Sequence, residues 1–479
     1  MTASTLHSVT ATAAGRRDEH GNPTSGSADA VALYDRGLDR LLRFDPEVVQ
    51  HATQLVTEHP ETPMGQALMA YLLLSSTDRA DAVAAREVWD VMSAASMNDR
   101  EGAHHRAIGC WVAGDWRGAA KALDGVGERW PGDLLALMLG HQLDFFVGDA
   151  ANLRDRPGRV LLDLDPDHGH TAFVRGMQAF GLEESGSYEH AEDAGRAALA
   201  ANPDDVWAIH AVTHAFEMRG RVGEGIRFLV EREADWGSGN LFTVHSWWHL
   251  ALFHLEAGAI DRALAIYDAT VHNEGSAGVP LEMVDASALL WRIALDGHDV
   301  GDRFEAIADA WSRKVEDEPW YAFNDVHAVM ALVGAGRHAD AGAVVARLER
   351  FVGDGGNGSN VAMTADVGLP AARAIVSFGE GRHGDAVDDL APIRGHLNRF
   401  GGSHAQRDVL QRTLLVAAIA SGRADLARAL VSERLAVRET SVWTWGERAR
   451  LLRALGRDEE AVGARETAAA HQASFAAAV

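Results

Sequence analysis

Ten glycines recur along this chain at nearly regular intervals: Gly114, Gly148, Gly186, Gly220, Gly258, Gly297, Gly336, Gly381, Gly422 and Gly456, separated by 34, 38, 34, 38, 39, 39, 45, 41 and 34 residues. Five residues after seven of them stands an alanine: Ala119, Ala191, Ala263, Ala341, Ala386, Ala427 and Ala461. A glycine lets a helix end in a tight left-handed turn, and a small side chain soon after lets the returning helix lie close to the first. The pattern predicts an all-α chain of helical hairpins stacked into a solenoid. Each hairpin buries its apolar face only against its neighbours, so residues 28–479 are expected to form one continuous domain of about ten or more hairpins. Residues 1–27, rich in Ser, Thr, Ala and Gly, read as a disordered leader.

One unit follows the tetratricopeptide repeat closely. Trp247, Leu250 and Ala251 take the W-x-x-L-G places, His254 the tyrosine place, Gly258 the turn, and Ala263 and Tyr267 the small and aromatic places of the second helix. Another unit runs from Gly186 through Ser187, Tyr188 and Ala191 to Asn202 and Pro203, where proline ends the helix. Units around Gly148 and Gly297 lack the alanine, so the fold class is an irregular tetratricopeptide-type superhelix.

Within this array the chemistry-bearing residues concentrate in two adjacent units. His210, His214 and Glu217 fall within a wedge of about 60° on one helix, and His245, His249 and Glu256 share a face of the next. With the turn glycine numbered 15, His210, His214 and Glu217 take positions 5, 9 and 12, and His245 takes position 2. In repeats of this type those positions line the concave groove, which would bring both stripes to one space. Trp207 and Trp248 are expected to supply an aromatic wall.

Five segments resemble the tetratricopeptide repeat protein 38 family: HAVTHAFEMRGR (210–221), HSWWHLALFHLEAG (245–258), FNDVHAVMAL (323–332), DVGLP (366–370) and GGSHAQRD (401–408). The similarity extends over most of the chain from about residue 30. It implies an all-α repeat fold and carries no settled reaction or catalytic residue.

Three chemistries fit the groove. Imidazoles four residues apart on a helix can share a divalent metal, with His210, His214 and His245 as the candidate ligands, although the adjacent glutamate of H-E-x-x-H is missing. Cofactor-free acid/base work could draw on Asp285, on Asp325 with His327, and on Arg407 with Asp408. Binding without chemistry would use the same His, Trp and Asp lining for a small molecule or peptide. Asn324 and Asp325 also read as an ordinary helix start. Ser403 reads as an N-cap, with His404, Gln406, Arg407 and Asp408 facing a ligand. Insertions near 272–283 and 352–362 are expected to close the groove into a pocket.

Binding is the favoured function, with a metal-dependent or cofactor-free hydrolase or oxygenase as the alternative. Lys plus Arg total 44 against 69 Asp plus Glu, a formal charge of −25 that repels phosphate backbones, so nucleic acid is not an expected partner. No run of about 18 uninterrupted apolar residues stands out, so no membrane span is expected. A single cysteine, Cys110, fits a reducing cytoplasm. Gly353, Gly355 and Gly358 satisfy a dinucleotide-binding pattern but follow a helical segment and read as a loop.

Overall fold

In the computed structural model, which describes residues 16–314 and 318–478, antiparallel helix pairs follow one another from Ala28 to Ala478. All ten turn glycines adopt positive φ, between 67° and 82°. All seven alanines five residues downstream are fully buried. The unit after Gly220 has Gly225 at the alanine place, and a Cβ there would meet the Phe253 ring at 2.3 Å. That pair of helices therefore lies closer than alanine would allow. One contiguous apolar core runs from Leu33 to Phe475, with a small satellite around Ala449, Leu452, Ala461 and Ala464.

Two further hairpins precede the first glycine turn, pairing helix Ala28–Leu42 with Glu47–Glu58 and Pro63–Ser75 with Arg79–Ser93. Their turn residues are Phe44 (φ 53°) and Thr77 (φ 60°), left-handed positions where a side chain costs about 1 kcal/mol that glycine avoids. Both residues touch distant parts of the chain. The Phe44 carbonyl accepts from Leu241 N at 2.7 Å, and its ring stacks on Trp207 at 5.3 Å. Thr77 accepts from Asn324 Nδ2 through its carbonyl (3.1 Å) and its Oγ1 (3.0 Å).

The same kind of contact closes the superhelix on itself. Ser359 N donates to the Gly114 carbonyl (2.9 Å), Asn398 Nδ2 to Gly148 O (3.0 Å) and Thr440 Oγ1 to Gly220 O (3.0 Å). At Gly148 a Cβ would fall 1.6 Å from Asn398 O, so glycine there serves the left-handed turn and the close approach together. Tyr321 OH reaches Phe146 O at 3.1 Å. Early turns are thus gripped by later helices, and the inner faces of the hairpins are packed rather than open.

The expected closing insertion near 352–362 is part of this grip, since Ser359 docks on Gly114, Asp115 and Arg117. Its helical continuation, Ser359–Gly379, is long and apolar enough on length and composition to cross a bilayer, although Asn360, Asp366 and Arg373 interrupt the apolar run. It packs within the fold, with Gly368 against Ala322 and Gly379 against Val333, and 56% of its 18-residue apolar stretch is buried.

Residues 1–15 of the expected leader lie outside the described residues, and the rest of it is ordered. Arg16–Arg17 pairs with Pro23–Thr24 in a short hairpin. Asp18 forms a 2.9 Å ion pair with buried Arg100, Asn22 donates to Gly132 O at 3.0 Å, and Ser25 Oγ donates to Glu101 at 2.8 Å. Composition favoured disorder, but buried Arg100 and Glu101, with the Gly132 carbonyl, fix the segment.

Candidate functional site

Three helices bring the central histidines together. Asp205 caps helix Val206–Met218 by accepting from Trp207 N (3.0 Å) and Ala208 N (3.1 Å), which sets the rotation that carries His210, His214 and Glu217 inward. Helix Thr243–Glu256 presents His245 and His249, and Pro280–Leu295 presents Asp285. One nitrogen from each of His210, His214, His245 and His249 lies within 4.8 Å of the others.

Around His245 the geometry is tight. Its Nε2 is 3.2 Å from Nε2 of His210 and 3.2 Å from Nε2 of His249. On the far side of two of these rings stands a carboxylate: His245 Nδ1 donates to Asp285 at 2.6 Å, and His249 Nδ1 donates to Glu217 at 3.1 Å. A carboxylate only accepts, so both Nδ1 atoms hold a proton, and the buried His249 ring turns its Nε2 lone pair toward His245 Nε2. Among the described residues, His210 Nδ1 and both nitrogens of His214 have no hydrogen-bond partner.

Burial, reinforced by the neighbouring imidazoles, holds His210, His214 and His249 well below the usual histidine range. Protonation of these three rings is therefore costly. The walls are aromatic: Phe180, Trp207 and Phe242 surround His210 at 5.0, 5.1 and 4.8 Å, and Trp248 stacks on His245 at 5.2 Å. His245 is the most open ring of the four, with its side chain 16% exposed.

Sequence reasoning missed Glu183 and Glu184. Glu183, fully buried, lies 3.5 Å from His214 Nδ1 and 3.7 Å from His404 Nδ1, and among the described residues neither carboxylate oxygen has a partner within hydrogen-bond distance. Burial and adjacent Glu184 push its pKa up. Glu184 is engaged instead, accepting from His404 N at 2.7 Å and Arg407 Nη2 at 3.1 Å. The signal was present: Glu183 stands three residues before Gly186, the same groove position that singled out Glu217 before Gly220.

The remaining sequence candidates separate. Gln406 belongs to the centre, because it completes a capping box with Ser403 and donates from Nε2 to Asp285 at 3.2 Å. His404 and Arg407 border the Glu183–Glu184 pair; burial opposes charge on His404, but Glu184 and Glu183 raise its pKa. Asp408 stands apart from the histidines, for Arg412, Arg434 and Arg438 surround it at 2.9, 2.7 and 3.1 Å. Glu256 likewise turns to Arg412 and Ser441 rather than to the histidines.

Asn324, Asp325 and His327 do not join the cluster. Asn324 holds Thr77, Asp325 lies 3.9 Å from Arg347, and His327 Nδ1 donates to Phe323 O at 2.7 Å. Asn324 and Asp325 do stand in the first turn of helix Ala322–Gly334, as an ordinary helix start would have them, and Asn360 Oδ1 from another element accepts from Ala322 N at 2.8 Å. Trp207 is almost buried and Trp248 is fully so; they back the histidines instead of lining an open groove. His254, at a packing position, is largely buried as its place in the repeat predicts.

No protein-family model matches the sequence. Among solved structures, the human IFIT1 dimer with m7Gppp-AAAA is 13% identical over 96% of each chain, with a TM-score of 0.42. The human IFIT1 dimer with PPP-AAAA is 12% identical over 95% of each chain, with a TM-score of 0.41. The P58(IPK) TPR domain is 13% identical over 78% of this chain and 93% of that one, with a TM-score of 0.21. At such scores the likeness says nothing about ligand or reaction.

Proposed function

We propose that this chain is a divalent-metal protein whose centre is held by His210, His245 and His249, with His214 as a fourth donor. The observation that carries the reading is the approach of His245 Nε2 and His249 Nε2 to 3.2 Å, with a carboxylate holding the outer Nδ1 of each ring. Two nitrogens bound to one tetrahedral ion at about 2.05 Å stand about 3.3 Å apart. Carboxylates on the outer nitrogens are the usual support for metal-binding histidines, and two of them balance a divalent charge. Three of the segments that resemble the tetratricopeptide repeat protein 38 family, 210–221, 245–258 and 401–408, supply the histidines, Glu217 and the Gln406 that holds Asp285.

The role that fits best is metal-dependent chemistry, of the hydrolase or oxygenase class, on a small molecule. A divalent ion supplies Lewis acidity and a bound water of lowered pKa. The packed inner face leaves less room for an extended peptide than for a small molecule. The charge of −25 keeps nucleic acid outside the proposal, and the reducing cytoplasm expected from lone Cys110 stays within it.

A second reading, ligand binding without chemistry, is favoured by the small cavity beside Glu217, lined by Arg292, Asp408, Arg412 and Arg438 and, among the described residues, by no histidine. Cobalt(II) loading separates the two. An absorption spectrum that shifts with azide, and is lost in a folded His210→Ala, His214→Ala chain, supports an open catalytic site. A spectrum insensitive to azide makes the ion structural, and no cobalt binding at these histidines removes the metal reading.

A further inference from the structure

A second group of imidazoles gathers where the N-terminal hairpin meets the body of the protein. Glu19 and His20 lie between its two strands, while His168 and His170 stand at the start of helix His170–Glu184. Donor atoms of these four residues lie within 4.8 Å of one another. His20 Nε2 is 3.0 Å from His170 Nδ1, and Glu19 Oε1 is 3.5 Å from that same nitrogen.

The outer contacts assign roles. His170 Nε2 donates to Asp39 Oδ1 at 3.2 Å, so the proton sits on the far nitrogen and Nδ1 turns a lone pair toward His20 and Glu19. His245 is oriented by Asp285 in the same manner. His168 differs: its Nδ1 accepts from His170 N at 3.1 Å, so its neutral ring carries the proton on Nε2, 3.3 Å from Glu19 Oε1. His168 therefore orients Glu19 rather than offering a lone pair.

The backbone that presents Glu19 and His20 is held in place by Asp18 on Arg100 and by Asn22 on Gly132. The two ligand-bearing segments are thus preorganised from opposite sides of the gap. One carboxylate oxygen and two imidazole nitrogens match the donor preference of zinc-class divalent ions, with solvent to complete the shell at this half-open place.

We propose that Glu19, His20 and His170 bind a second divalent ion of the zinc class, positioned by His168 and Asp39. The ion ties the N-terminal hairpin to helices Ala28–Leu42 and His170–Glu184. This site is independent of the central histidines and stands or falls without them.

The full-length chain, stripped and reloaded with zinc alone, tests the assignment by metal content and by trypsin cleavage after Arg17, an exposed residue of the hairpin. His20→Gln should lose one equivalent of zinc, while His210→Ala, His214→Ala should keep that equivalent. Zinc should slow cleavage after Arg17 severalfold in the wild type and leave the His20→Gln rate unchanged. Equal zinc content in the wild type and a folded His20→Gln chain overturns the proposal, as does a cleavage rate indifferent to zinc. Should His20→Gln fail to fold, Glu19→Gln, at a more exposed position, gives the same reading.

Discussion

The central and N-terminal histidine clusters are built on one rule and differ in their surroundings. Each has an imidazole whose outer nitrogen is held by an aspartate, Asp285 for His245 and Asp39 for His170. The central cluster projects from regular helices into an aromatic, buried interior, whereas the other joins a hairpin to a helix start beside solvent. The difference teaches what burial adds: similar donors, with a lower local dielectric, a stronger penalty for charge and slower exchange with solvent.

The largest contrast should appear on metal removal. A chelator should strip the N-terminal ion at once with little change in Tm, then the central ion slowly with a large fall. An ion present at 1,000 times its Kd stabilises the native state by about 4 kcal/mol. Simultaneous release, followed by metal analysis over time, breaks the comparison.

Next in size are the orienting aspartates. Asp285→Asn should weaken zinc at the central site by about 10–100-fold, the usual consequence of losing such a partner. Asp39→Asn should cost the N-terminal site less, because solvent can replace a half-exposed acceptor. Competition titration against a chromophoric chelator ranks the two, and an equal loss would deny burial its role.

Acid should act in the same order on the metal-free protein. Burial puts His210, His214 and His249 well below their unfolded value near 6.5, and burial with His170 and His168 lowers His20 to about 4. The unfolded chain therefore binds protons first as pH falls. Stability present above about pH 6.5 declines below it, ending near pH 4 for His20 and continuing lower for the central rings. Tm against pH should be shallower in His210→Ala, His214→Ala than in the wild type, and His20→Gln should flatten it only above about pH 4.

The smallest effect belongs to a control outside both clusters. His254→Gln should leave both metal equivalents in place, as measured by elemental analysis.

The periodic glycines revealed the hairpins because a left-handed turn leaves a visible residue preference. Where Phe44 and Thr77 make that turn, the preference is absent, and nothing in the sequence marks where the first two hairpins turn. The four histidines and Glu217 were legible from helical spacing and repeat register, and Glu183 was legible by the same register. Asp408, Asn324, Asp325 and His327 were misplaced because register tells which face a residue takes, not which later helix will cover it. Closure decides that, and it depends on contacts such as Asn324 to Thr77 that no local pattern encodes.

That closure makes the number of repeats a fixed quantity. An open solenoid tolerates the gain or loss of a unit, since each hairpin answers only to its neighbours. Here Asn398 must arrive at Gly148 and Thr440 at Gly220 after a set number of intervening hairpins. Removing one would rotate every later helix away from its turn, so this chain, though written as a repeat, has a length that must come out as a whole number.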